Sequence, residues 1–371
     1  MNKIILTSFA LLIAFYGCRK SSTPDPARQF DQTAMLANIA DNLIVPAYQE
    51  LSAESDNLVT AVTQFSADPS IPNLALMQKQ FKTAYKAYIH CEPYDFGPAN
   101  GTVMLINSIN YWPTKPSLIY TELSTSTAIS DGYINGLGAE KKGFPALGYL
   151  LFDIINGNSA VADSFVNSST AAKRKQYIVA LAENISSNSK IVLQEWQSSY
   201  AAIFKKNTGI ELNTSLSLLL NNFVINFETS KNKRLGIPIG RKDNFTEGPV
   251  NPTAVELPYT DFAKEILNET AVTLTNLYLG KSGTTDGLGF DDYVKSLNTD
   301  GAALNESIKT EFNTFQTDIT AIVSPMQTSI QANPALVYNT WVQSKKLLVL
   351  LKVDLASSLG ILITFSDNDG D

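Results

Sequence analysis

Residues 73–88 read NLALMQKQFKTAYKAY. Leu74, Met77, Phe81, Ala84 and Tyr88 recur at spacings of three and four, which places them on one stripe of a helix. Ser70 and Pro72 just upstream suit a helix start. The same rhythm returns late in the chain, where Val337, Trp341, Ser344, Leu348, Leu351 and Leu355 alternate steps of four and three. Asn333-Pro334 opens that segment and Gly360 lies just past its end, the usual asymmetry of helix boundaries. Between these, helices are predicted at roughly 31–66, 146–156, 170–204, 213–229, 259–279 and 303–331. Pro46 is expected to kink or divide the first. Strand-type alternation is scarce, so the expected fold class is all-α. The two quoted helices echo one another, each amphipathic and each preceded by a Pro-containing cap, and two related bundles fit the length.

The irregular segments are few and long. Residues 93–145 and 230–258 are rich in Gly, Pro and Asn, and long irregular stretches in a helical protein commonly carry function. Of the 371 residues, 44% are hydrophobic and 17% charged, enough apolar material for sizeable cores. The formal net charge is −7 and no dense basic run occurs, which argues against a phosphate-neutralising surface and so against nucleic acid as a partner. One histidine and two cysteines exclude HExxH zinc sites, zinc sites of four cysteines or of paired cysteines and histidines, and a disulfide framework.

Residues 1–18, MNKIILTSFALLIAFYGC, have the proportions of a secretory leader: Lys3, then a largely apolar run from Ile4 to Tyr16. That run falls short of the roughly 20 residues a membrane-spanning helix needs. It stops at Gly17-Cys18, which resembles a lipobox, with Cys18 as the lipidated new N-terminus. Residues 19–29 (RKSSTPDPARQ) then read as a polar tether. Once Cys18 is lipidated, Cys91 is the remaining thiol.

Several catalytic motifs fail on their own terms. Gly280-Lys281-Ser282 lacks the earlier glycine of a phosphate loop, since Thr275 stands there, and reads as a helix C-cap. His90-Cys91-Glu92 matches half of a zinc deaminase signature whose cysteine half is absent. A Ser-His-Asp triad would need His90, with no GxSxG elbow to accompany it. His90 is expected to be an ordinary satisfied polar group at a helix end. The run SDNDGD (Ser366–Asp371) lacks the glycine and glutamate positions of an EF-hand and reads as an acidic tail.

Taken together, VPAYQEL (Val45–Leu51), ExxxFGP (Glu92–Pro98), Ile109–Pro113, GFPALGYLLFD (Gly143–Asp153), RLGIPIGRK (Arg234–Lys242), GLGFDDYV (Gly287–Val294) and LGILITFSDNDGD (Leu359–Asp371) resemble, in that order, the imelysin-like family of bacterial periplasmic proteins. The resemblance implies two fused helical bundles with a cleft between them and long irregular loops. It implies a bacterial envelope setting linked to iron acquisition, with founding members described as metallopeptidases and other relatives closer to binding proteins. The expected layout is a leader at 1–17, a tether at 18–29, and bundles at 30–205 and 206–371.

The family marker GxHxxE falls on Gly143-Phe144-Pro145-Ala146-Leu147-Gly148. Proline stands at the His position and glycine at the Glu position, and neither side chain can ligate a metal or move a proton. The expectation is therefore a non-catalytic, lipid-anchored, periplasm-facing binding or accessory protein at the outer membrane. Glu92, Asp291, Asp292 and Asp369, with Trp112 and Arg241, are its candidate ligand-binding residues. Carboxylate oxygens suit iron or another hard cation, whereas Arg241 suits an anionic or chelated cargo. Two alternatives stand beside it: a hydrolase using carboxylates alone, and a lipoprotein that docks onto an outer-membrane transporter.

Overall fold

In the computed structural model, residues 30–241, 247–297 and 299–365 are described. The leader, Cys18, the tether and Asp369 lie outside them. The predicted stripe at 73–88 forms helix α2 below, with Leu74, Met77, Phe81, Ala84 and Tyr88 all buried. The first bundle is built from α1 (Val45–Ala67), α2 (Ile71–Cys91), α3 (Gly143–Leu151) and α4 (Ala171–Glu195). Helices α1, α2 and α4 pack lengthwise, and the short α3 lies against α4 and α2. The second bundle contains α5 (Ser215–Thr229), α6 (Ala263–Leu279), α7 (Phe290–Leu297), α8 (Thr299–Ala321) and α9 (Ala335–Val349). Its stripe from Val337 to Leu355 is likewise buried, against α8 and the segment after α5. The only strands among the described residues are a two-residue ladder, Lys281–Ser282 against Thr285–Asp286. The all-α expectation holds.

Where the helices differ from the sequence reading, the causes are local. Pro46 does not divide the first helix. A π-helical turn at Ile39–Ile44 immediately precedes Val45–Ala67, and Pro46 sits in the first turn of that α-helix, where its missing N–H costs little. The chain from Gln32 to Ala67 stays helical throughout. The segment predicted at 303–331 does divide, into α8 and Met326–Ala332. The long segment 93–145 is broken up by short helices at Pro98–Gly101, Leu105–Ile109, Pro116–Leu123 and Asp131–Asn135. Helix α7, two turns long, gives too short a period to read from sequence. The C-cap readings of Gly280 and Gly360 hold: both adopt left-handed φ, at 64° and 68°.

The bundles join along α2 and α6, and α5 rests on the turn Glu92–Tyr94 that follows α2. The first residues of the described chain also cross over. Phe30 stacks on Tyr293 with ring centroids 4.5 Å apart. Asn38 Nδ2 donates to the carbonyls of Gly280 and Leu288 at 2.8 and 3.0 Å.

Candidate functional site

At the junction a buried guanidinium faces two carboxylates. Helix α5 runs into a π-helical segment, Ser230–Gly236, and this wider turn carries Arg234 to the interface. Its Nη2 donates to Glu92 Oε1 and Oε2 at 2.8 and 2.9 Å, and its Nε donates to Glu256 Oε2 at 2.5 Å. Nη1 donates to Ser230 Oγ at 3.1 Å and to Thr270 Oγ1 at 3.0 Å. The Tyr85 hydroxyl lies 2.5 Å from Glu256 Oε1. Burial pushes the Glu92 carboxyl above its ordinary range, and Glu256 adds to that while Arg234 opposes it. Burial works against the Arg234 charge, yet the two carboxylates outweigh it and hold the guanidinium firmly protonated. Glu92 belongs to the end of the first bundle, whereas Arg234 and Glu256 belong to the second half of the chain. The network thus ties the halves together.

Beside this network lies a cavity of about 120 Å³, whose lining includes Glu92, Asp95, Asn110, Trp112, Asn226 and Lys233. Three segments build it. The turn after α2 supplies Glu92 and Asp95, and Gly97 makes that turn possible at φ 55°, where an added Cβ would stand 2.3 Å from the Tyr200 ring. The segment after Leu105–Ile109 supplies Asn110 and Trp112, the latter joined to Pro113 by a cis peptide. Helix α5 and its π extension supply Asn226 and Lys233. Asn226 Nδ2 donates to Glu92 Oε2 at 3.1 Å, which fixes the orientation of its amide because a carboxylate only accepts. Asn226 Oδ1 and Asp95 Oδ1 are buried without hydrogen-bond partners. Burial raises the Asp95 carboxyl to about 6, with Glu92 adding to the shift and Asn100 opposing it.

The imelysin family model matches residues 44–336. The chain belongs to the imelysin family. Two crystal structures are similar over most of their length. One is an imelysin-like protein from Psychrobacter arcticum: 17% identity, TM-score 0.72, covering 90% of this chain and 97% of that one. The other is a putative iron-regulated protein A precursor from Parabacteroides distasonis: 18% identity, TM-score 0.72, covering 88% and 95%. No curated protein matches.

In this imelysin chain the positions matched above to GxHxxE lie in α3, next to the junction but sealed in apolar surroundings. Gly143 adopts φ 73°, and a Cβ there would stand 2.3 Å from the Ile109 carbonyl oxygen. Pro145 is buried in the first turn. Gly148 faces Phe81 and Leu257, 3.2 and 3.4 Å from where its Cβ would be. The donor set does not fit a metal centre here. Among the described residues, no group of three or more His, Cys, Asp or Glu side chains is arranged to hold an ion.

Of the residues proposed from sequence, Glu92 and Trp112 meet in the junction cavity. Arg241 pairs with Glu247 and lies over the rings of Tyr338 and Trp341, 5.3 and 6.0 Å from their centroids. Asp291 and Asp292 share Lys295 at 3.0 and 2.9 Å. They occupy the first turn of α7, where carboxylates complement the helix dipole. Arg241, Asp291 and Asp292 do not line the cavity. His90 is satisfied at both nitrogens, Nδ1 by Glu50 at 2.8 Å and Nε2 by Glu269 at 2.9 Å. Sequence reasoning missed Asp95, Asn226, Lys233, Arg234 and Glu256. Asp95 and Arg234 lie inside two of the quoted family segments, but Asp95 falls on an unspecified position of ExxxFGP and neither was singled out there. Asn226, Lys233 and Glu256 carry no signal of their own.

Proposed function

We propose that the protein is a non-catalytic binding protein of the bacterial envelope, tethered through Cys18, that takes a small ligand in the junction cavity in support of iron-responsive uptake. The observation that carries this reading is a contrast. The motif positions hold Pro145 and Gly148, which have no donor atoms, while the adjoining cavity holds buried acceptor oxygens without partners. A buried polar atom left unpaired costs about 1–3 kcal/mol, and a bound ligand would recover that cost. The envelope setting is supported by the leader-like segment ending at Cys18 and by family membership. The link to iron is supported by the similarity to the iron-regulated protein A precursor of Parabacteroides distasonis.

Incubation with mixed peptides and Zn²⁺, Mn²⁺ or Fe²⁺ tests the non-catalytic part, with no cleavage above background expected. Cleavage that disappears in a Glu92→Gln variant would establish the hydrolase reading instead. A small-molecule fraction of envelope extract should raise the unfolding temperature of the wild type and leave Trp112→Ala unchanged.

A further inference from the structure

We infer that the junction cavity binds a primary ammonium group, with Asp95 Oδ1 and Asn226 Oδ1 as acceptors and the Trp112 ring as an aromatic wall. This rests on the binding reading above and names the ligand's chemistry. An –NH₃⁺ group offers three donors and no acceptor, and the cavity offers the converse. Asp95 and Asn226 both line this space, and the Oδ1 of each is buried and lacks a donor. Asn226 is only 8% exposed, and its Nδ2 is committed to Glu92, so the amide cannot turn to present a donor instead.

Charge points the same way. The three carboxylates Glu92, Glu256 and Asp95 face the two cations Arg234 and Lys233, which leaves an excess of one negative charge. The Trp112 face already takes a cation, for Lys233 Nζ sits 6.0 Å from its centroid. Lys233 is itself exposed and belongs to the rim. A metal ion is a poorer match, since the lining provides two carboxylates and no third carboxylate, histidine or cysteine. At about 120 Å³ the space admits the equivalent of four water molecules at about 30 Å³ each, an ammonium head and a short stem. Partly exposed Ile106, Tyr111 and Ile225 line the mouth and would meet an apolar continuation.

The probe is n-butylammonium, with n-butanol and butyrate as neutral and anionic counterparts of the same length. Binding to the purified chain is followed by the indole N–H resonance of Trp112, assigned with Trp112→Phe. Butylammonium should saturate and bind at least about ten-fold tighter than either counterpart. Asp95→Asn, close to isosteric, should weaken it about ten-fold or more without lowering the unfolding temperature, and Lys233→Ala should not weaken it.

Affinity should also track the Asp95 charge. The titratable groups around Asp95 include Tyr48 of α1, Tyr88 of α2, Glu92 on its own turn, and Tyr111 and Lys233 in the cavity lining. With Asp95 titrating at about 6, the wild type should lose about ten-fold in affinity from pH 7 to pH 5, and Asp95→Asn should not. Equal binding of butanol or butyrate overturns the proposal, as does an unaltered affinity in Asp95→Asn. If butylammonium fails while an envelope small-molecule fraction still shifts Trp112, the ammonium assignment falls and the binding reading stands. If neither shifts it, both fall.

Discussion

Arg234 is the residue on which the junction turns. It is 3% exposed and makes charged contacts to two carboxylates that would otherwise be buried side by side. Arg234→Leu should therefore destabilise the fold by about 3–5 kcal/mol in denaturant titration. Arg234→Lys should recover only part, because an ammonium cannot reproduce the forked contacts. His90 is the contrasting case, a half-buried clamp between Glu50 of α1 and Glu269 of α6. Burial opposes its charge, but the two carboxylates outweigh burial and raise its pKa from 6.5 to about 9. A raised folded-state value means the stabilisation is full below pH 6.5 and fades as pH rises through about 9. His90→Gln should cost about 1–2 kcal/mol at pH 6 and nothing by about pH 10, after allowance for the solvent around Glu50. A deficit that persisted undiminished at high pH would show that His90 acts by packing alone.

At the scale of elements, α3 shows how a motif position can survive as backbone while its chemistry is closed off. Gly143 holds a left-handed turn against the Ile109 carbonyl, so Gly143→Ala should lower stability by at least about 2 kcal/mol. Pro145→His combined with Gly148→Glu returns the family residues, yet position 148 is buried against Phe81 and Leu257. A carboxylate there would be both overpacked and desolvated. The double variant should unfold at least about 3 kcal/mol more easily, and calorimetry should show no tight zinc binding. Tight zinc binding by a stably folded double variant would mean that Phe81 and Leu257 yield more readily than their packing indicates. The π-helical turns work differently. The one at Ile39–Ile44 accommodates Pro46, and the one at Ser230–Gly236 carries both Arg234 and Lys233 to the junction. Neither turn is announced by composition.

Across the whole molecule, two bundles meet at a polar seam, and no helix among the described residues is long and apolar enough to cross a membrane. In our proposal, membrane attachment rests on Cys18. Cys18→Ala should abolish radiolabelled-palmitate incorporation and move the protein from the membrane to the soluble fraction. Undiminished labelling of that variant would remove the tether from the proposed function.

The helical class was legible because burial of one face imposes a period of three and four on the residues themselves. Leu74 to Tyr88 and Val337 to Leu355 carry that period without reference to anything distant. The absence of donor side chains at Pro145 and Gly148 was equally legible, since neither residue carries one in any fold. The junction cavity was not. Glu92, Asn226, Arg234 and Glu256 are separated by up to 164 positions in sequence, and nothing local distinguishes them from caps or surface charges. Which carboxylates become buried partners, as Glu92 does, and which stay on a helix face, as Asp292 does, was decided only when α5 and the turn after α2 came together. Desolvation and pairing depend on what surrounds a charge in space, and a local period records only which side of its own helix a residue occupies.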